Sequence, residues 1–84
     1  MTRTEFKVYD LVSLDGTTAK RLIAIFFDNE TRFEFCQHYI YAHRQSTLVC
    51  EDGTTRRAYV WNDGGMDVLT NKQIDKLLAI AGLS

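Results

Sequence analysis

The sequence predicts an α+β domain: a four-stranded antiparallel sheet built from two hairpins, with two helices on one face. Three observations carry this expectation. Asp15-Gly16 and Asp52-Gly53 each lie between segments rich in β-branched and aromatic residues, the sequence form of a tight hairpin. Each hairpin is followed by a capping-box signature, Thr31-Arg32-Phe33-Glu34 and then Thr70-Asn71-Lys72-Gln73. The tetrapeptide Asp-Gly-Thr-Thr stands at both turns, so the chain can be read as a strand-strand-helix unit used twice.

In the first hairpin, a two-residue Asp15-Gly16 loop pairs Leu14 with Thr17, Asp10 with Arg21, Val8 with Ile23 and Phe6 with Ile25. This register opposes a carboxylate to a guanidinium and gathers Phe6, Val8, Val12, Ile23 and Ile25 on one face, the expected core face. The same rule in the second hairpin pairs Cys50 with Thr55, Val49 with Arg56 and Leu48 with Arg57, and the last strand runs out to Trp61. Asn62-Asp63-Gly64-Gly65-Met66 reads as a connecting turn, and it lacks the Lys-Ser/Thr continuation of a phosphate loop.

The C-terminal helix rests on Ile74, Leu77, Leu78 and Ala81 at helical spacing, with Gly82 placed to end it. The segment from Thr31 to His43 admits two readings. Phe33, Phe35, Tyr39 and Tyr41 favour a strand by propensity, whereas a helix gathers Phe33, Phe35, Cys36, Tyr39, Ile40 and His43 on one side. A strand continuing from Phe27 would set Glu34 opposite Ile25 on the core face, and the cost of burying that charge favours the helix. The strand alternative gives a mostly-β meander or small barrel with a C-terminal helix.

A chain of 84 residues has room for one hydrophobic core, so residues 1–84 are expected to form a single domain. The net charge is -1 with no basic block, which disfavours nucleic acid as the first-choice partner. The longest apolar run, Leu22 to Phe27, is far short of the roughly 20 residues that span a bilayer. Met1 to Glu5 carry no signal-peptide pattern, so a cytoplasmic location is expected, with Cys36 and Cys50 as free buried thiols.

Cys36, His38, His43 and Cys50 are zinc-type ligands, but they contain no close Cys pair and the helix sends His38 away from Cys36 and His43. As a nucleophile and base they lack an orienting motif, and the carboxylates are scattered. No metal, cofactor or catalytic residue is therefore expected. Strand alternation turns Val8, Val12, Ile23, Ile25, Val49, Ala58 and Val60 inward. It sends Tyr9, Leu11, Leu22, Ala24, Phe26, Leu48, Tyr59 and Trp61 outward, beside Lys7, Lys20 and Arg57.

Such an apolar outer face is the mark of a contact surface. The expected function is thus that of a small non-enzymatic regulatory protein, inhibitor-like and of the kind phages or mobile elements encode. It would contact another protein, or a second copy of itself, through Tyr9, Leu22, Phe26, Tyr59, Trp61, Lys20 and Arg57. A second reading is single-stranded nucleic-acid binding, with Tyr9, Phe26, Tyr59 and Trp61 stacking on bases and Lys20, Arg56 and Arg57 meeting phosphates. A small Cys/His-dependent enzyme or metal-binding domain ranks behind both.

Overall fold

The computed structural model describes residues 4–53, 55–80 and 82. In chain order it contains β1 (Phe6–Leu14), β2 (Thr17–Phe26), α1 (Asn29–Ala42), β3 (Leu48–Asp52), β4 (Thr55–Asn62), β5 (Gly65–Leu69) and α2 (Asn71–Ile80). The strands form one open antiparallel sheet in the order β2-β1-β3-β4-β5. The architecture is α+β as expected, but the sheet has five strands rather than four.

The additional strand, β5, begins within the segment Asn62 to Met66 that reads as a connecting turn. Asp63 and Gly64 both take positive φ (45° and 86°), so a two-residue loop returns the chain directly along β4 and pairs Asn62 with Gly65. The first hairpin uses the same device, with Asp15 and Gly16 at 51° and 80° and Leu14 paired with Thr17 as expected. The second Asp-Gly-Thr-Thr makes a different turn. Asp52 itself pairs with Thr55 and Cys50 with Arg57, two residues away from the expected register. A slip of two leaves each side chain on its original face, so Val49 still shares a face with Ala58, and Leu48 with Tyr59.

Helix α1 confirms the helical reading of Thr31 to His43 and begins earlier than the capping box suggested. Its cap is Asp28, whose Oδ1 accepts from the Thr31 backbone N–H at 2.8 Å. That bond holds the Asp28 carboxyl below its ordinary value. At α2 the predicted capping box forms: the Gln73 backbone N–H donates to Thr70 Oγ1 at 3.2 Å, and the Thr70 backbone N–H donates to Gln73 Oε1 at 2.8 Å. No helix among the described residues is long and apolar enough to cross a membrane.

The two helices lie on opposite faces of the sheet, which corrects the expectation of one shared face. Cys36 and Ile40 of α1 pack on Val8, Leu48, Cys50 and Tyr59. Ile74 and Leu78 of α2 pack on Val49 and Ala58, with Tyr9, Leu11 and Leu69 at the margin. Val49 lies between Leu48 and Cys50 in β3, and strand alternation feeds one core from Val49 and the other from its neighbours. Each face of the sheet therefore has its own small core.

This placement also bears on the twofold reading of the chain. A two-fold axis that relates antiparallel neighbours β1 and β3 runs perpendicular to the sheet and would carry α1 to the same face. The observed helices are on opposite faces, and the second unit has an additional strand. The shared tetrapeptide is local turn chemistry at two differently built hairpins.

Candidate functional site

A bulge in β2 decides which residues share a surface. The ladder runs regularly from Leu14 and Thr17 to Tyr9 and Leu22, and then Val8 pairs with Ala24, leaving Ile23 as an additional residue. The expected pairs Val8 with Ile23 and Phe6 with Ile25 are thereby replaced by Val8 with Ala24 and Phe6 with Phe26. One inserted residue reverses the alternation beyond it. Ala24 and Phe26 turn to the α1 side and pack there, while Ile25, expected in the core, comes opposite Lys7 on the α2 side.

On the α2 side the result is a strip along β1 and β2 formed by Tyr9, Leu11, Leu22 and Ile25 with Lys7 and Lys20. Helix α2 covers the strip only at its margin, and Leu22 and Ile25 remain 46% and 41% exposed. Lys20 reaches over the Tyr9 ring, its Nζ 4.5 Å from the centroid, and donates to Glu51 Oε2 at 2.5 Å. Its charge is thus balanced within the chain. Lys7 stands opposite Glu51 in the β1–β3 ladder but makes no ion pair with a carboxylate among the described residues.

The seven residues expected to form one contact surface are divided between the two faces. Tyr9, Leu22 and Lys20 belong to the strip, whereas Phe26, Tyr59, Trp61 and Arg57 lie on the α1 side. Tyr59 is 1% exposed, closed in beneath α1. Phe26 packs on Phe35 with ring centroids 5.2 Å apart, and Trp61 is held between the Tyr41 ring at 4.9 Å and the Arg44 guanidinium at 4.2 Å. Arg57 is exposed and reaches Asn29 Oδ1 at 3.4 Å. Tyr9, Phe26, Tyr59 and Trp61 do not form a common stacking platform.

Under α1 lies a polar cluster that the sequence did not announce. Arg32 occupies the helix stripe that continues through Cys36 and Ile40, so its guanidinium points into the sheet and is 1% exposed. It donates to the Tyr59 hydroxyl at 2.5 Å, to Asn29 Oδ1 at 2.7 Å and to Cys50 Sγ at 3.7 Å. Cys36 Sγ is 3.4 Å from Cys50 Sγ, and both thiols are buried and free. The available signal was the i, i+4, i+8 phase of Arg32, Cys36 and Ile40.

The two thiols have unequal acidities. Donation from Cys36 lowers the Cys50 value, aided by Arg32 and opposed by burial. The same bond and burial raise Cys36. The histidines stay outside this cluster: His38 is exposed, and His43 stacks on Tyr39 with its Nδ1 3.1 Å from the Tyr39 carbonyl oxygen. No group of three or more His, Cys, Asp or Glu side chains among the described residues is arranged to hold a metal ion.

Comparison with protein-family models, curated proteins and solved structures returns no match for this chain.

Proposed function

We propose that the chain is a small non-enzymatic binding protein that regulates a protein partner by occupying its surface through the half-open β1–β2 strip. The observation that carries this reading is the exposure of Leu22 and Ile25 beside Tyr9, where α2 leaves the apolar face uncovered. Two exposed aromatics, Phe33 and Tyr41, already have ring partners in Tyr59 and Trp61.

Charge indicates the partner's chemistry. An apolar protein surface carrying a carboxylate satisfies Lys7 and covers Leu22 and Ile25 together. A second copy supplies this poorly. Glu51 in the strip is already engaged by Lys20, and the Ile23 bulge interrupts the edge that would otherwise pair with another β2.

The reading is tested by affinity capture with the wild type and with a Leu22→Asp, Ile25→Asp double variant whose fold is verified by circular dichroism. The expected result is a protein retained by the wild type and lost with the double variant. Equal retention by both proteins contradicts the reading.

A further inference from the structure

Arg32 is a cation that the fold buries without a carboxylate counter-charge among the described residues. A buried guanidinium is costly unless an anion compensates it. Its three side-chain partners are an amide oxygen, a phenol and a thiol, and of these the thiol is the group that ionises most readily near neutral pH. Cys50 is therefore placed to be the compensating anion. As a thiolate it accepts from Arg32 on one side and from the Cys36 S–H on the other.

A small cavity lined by Phe6, Asn29, Arg32, Glu51, Asp52 and Arg57 opens onto Cys50. Its volume, about 10 Å³, is that of one water-sized molecule, which excludes bulky disulfides. The two carboxylates of the lining are matched by two guanidiniums, so it favours no net charge. A small neutral oxidant fits both conditions. We propose that Cys50 and Cys36 form a peroxide-oxidisable dithiol pair, in which Cys50 is oxidised first and Cys36 resolves it to an intramolecular disulfide.

In the first step the Cys50 sulfur attacks one oxygen of hydrogen peroxide. A sulfur–oxygen bond forms, the oxygen–oxygen bond breaks, and hydroxide leaves, giving a sulfenic acid. In the second, Cys36 attacks the Cys50 sulfur. The sulfur–sulfur bond forms, the sulfur–oxygen bond breaks, and the departing hydroxide takes the Cys36 proton away as water. The pair loses two electrons, and peroxide gains them. The sulfurs have to close from 3.4 Å to about 2 Å. The product staples α1 to β3.

The test treats the native wild type with hydrogen peroxide, alkylates remaining thiols after denaturation, and maps peptides by mass spectrometry. The expected result is loss of both alkylatable thiols and one Cys36–Cys50 crosslink within a single chain. A Cys36→Ser variant oxidised in the native state should accumulate a sulfenic acid at Cys50 that dimedone labels when added with the denaturant, while a Cys50→Ser variant treated in the same way leaves Cys36 unlabelled. Two thiols still fully alkylatable in peroxide-treated wild type, an interchain crosslink, or preferential labelling of Cys36 overturns the proposal. The wild-type measurement decides by itself if either variant fails to fold.

Discussion

The Tyr39 hydroxyl donates to Asp10 Oδ2 at 2.9 Å, tying the last turn of α1 to the middle of β1. Asp10 is 4% exposed, Arg21 Nη2 stands 3.7 Å from the same oxygen, and Oδ1 has no hydrogen-bond partner among the described residues. A carboxylate held this way depends heavily on the phenol. Tyr39→Phe should cost about 1–3 kcal/mol, because it removes the direct donor to a buried charge. Urea unfolding of the two proteins measures the difference.

The same bond predicts a pH dependence. Burial, followed by the bond to Asp10, raises the Tyr39 value above that of a free tyrosine. The folded chain then holds the phenol proton more tightly than the unfolded chain. Its contribution is complete below the unfolded value of about 10 and is lost as pH rises through the folded value. Unfolding free energy measured from pH 8 upward should therefore fall more steeply for the wild type than for Tyr39→Phe.

Tyr59→Phe removes the closest partner of the Arg32 guanidinium and leaves a buried donor unmet. The expected cost is about 1–3 kcal/mol. The aromatic ring and its packing remain, so the denaturant slope should not change. An unchanged midpoint would mean that Arg32 does not depend on the Tyr59 hydroxyl.

How far the sequence revealed this fold can be traced residue by residue. The first hairpin was legible from Asp15-Gly16 down to Tyr9 and Leu22, since turn chemistry fixes register from the loop outward. It failed at Ile23, because no glycine or charge marks the bulge. Both helices were legible, α2 including its capping box. The start of α1 was displaced because Asp28, rather than Thr31, supplies the cap.

β5 escaped notice because Gly65-Met66-Asp67-Val68-Leu69 is short and follows a glycine pair that serves equally as a connector. The face of each helix escaped as well. Alternation in β3 shows that neighbouring residues differ in face, but it does not say which face α1 covers. The candidate surface inherited both gaps. Leu22, Tyr9 and Lys20 share a face, Ile25 joins their strip, and Phe26 left it through the bulge.

The bulge gives a prediction of its own. Deleting Ile23 restores one-for-one pairing between Leu22 and Tyr9 and between Ala24 and Val8 without turning Phe26 away from Phe35. The deletion variant should fold and lose only the packing of one half-buried side chain, about 1–2 kcal/mol. Chemical denaturation tests this. Failure to fold would mean that the bulge itself holds the edge strand in place.

Action through the β1–β2 strip is tested by site-specific photo-crosslinking in cells. A photoreactive phenylalanine analogue is placed at Leu22 or, on the opposite side of the sheet, at Tyr41, two positions of similar exposure at 46% and 45%. A crosslink to a different protein is expected from position 22 and none from position 41. A crosslink from position 41 alone, none from either position, or a product from position 22 that contains two copies of this chain would contradict it.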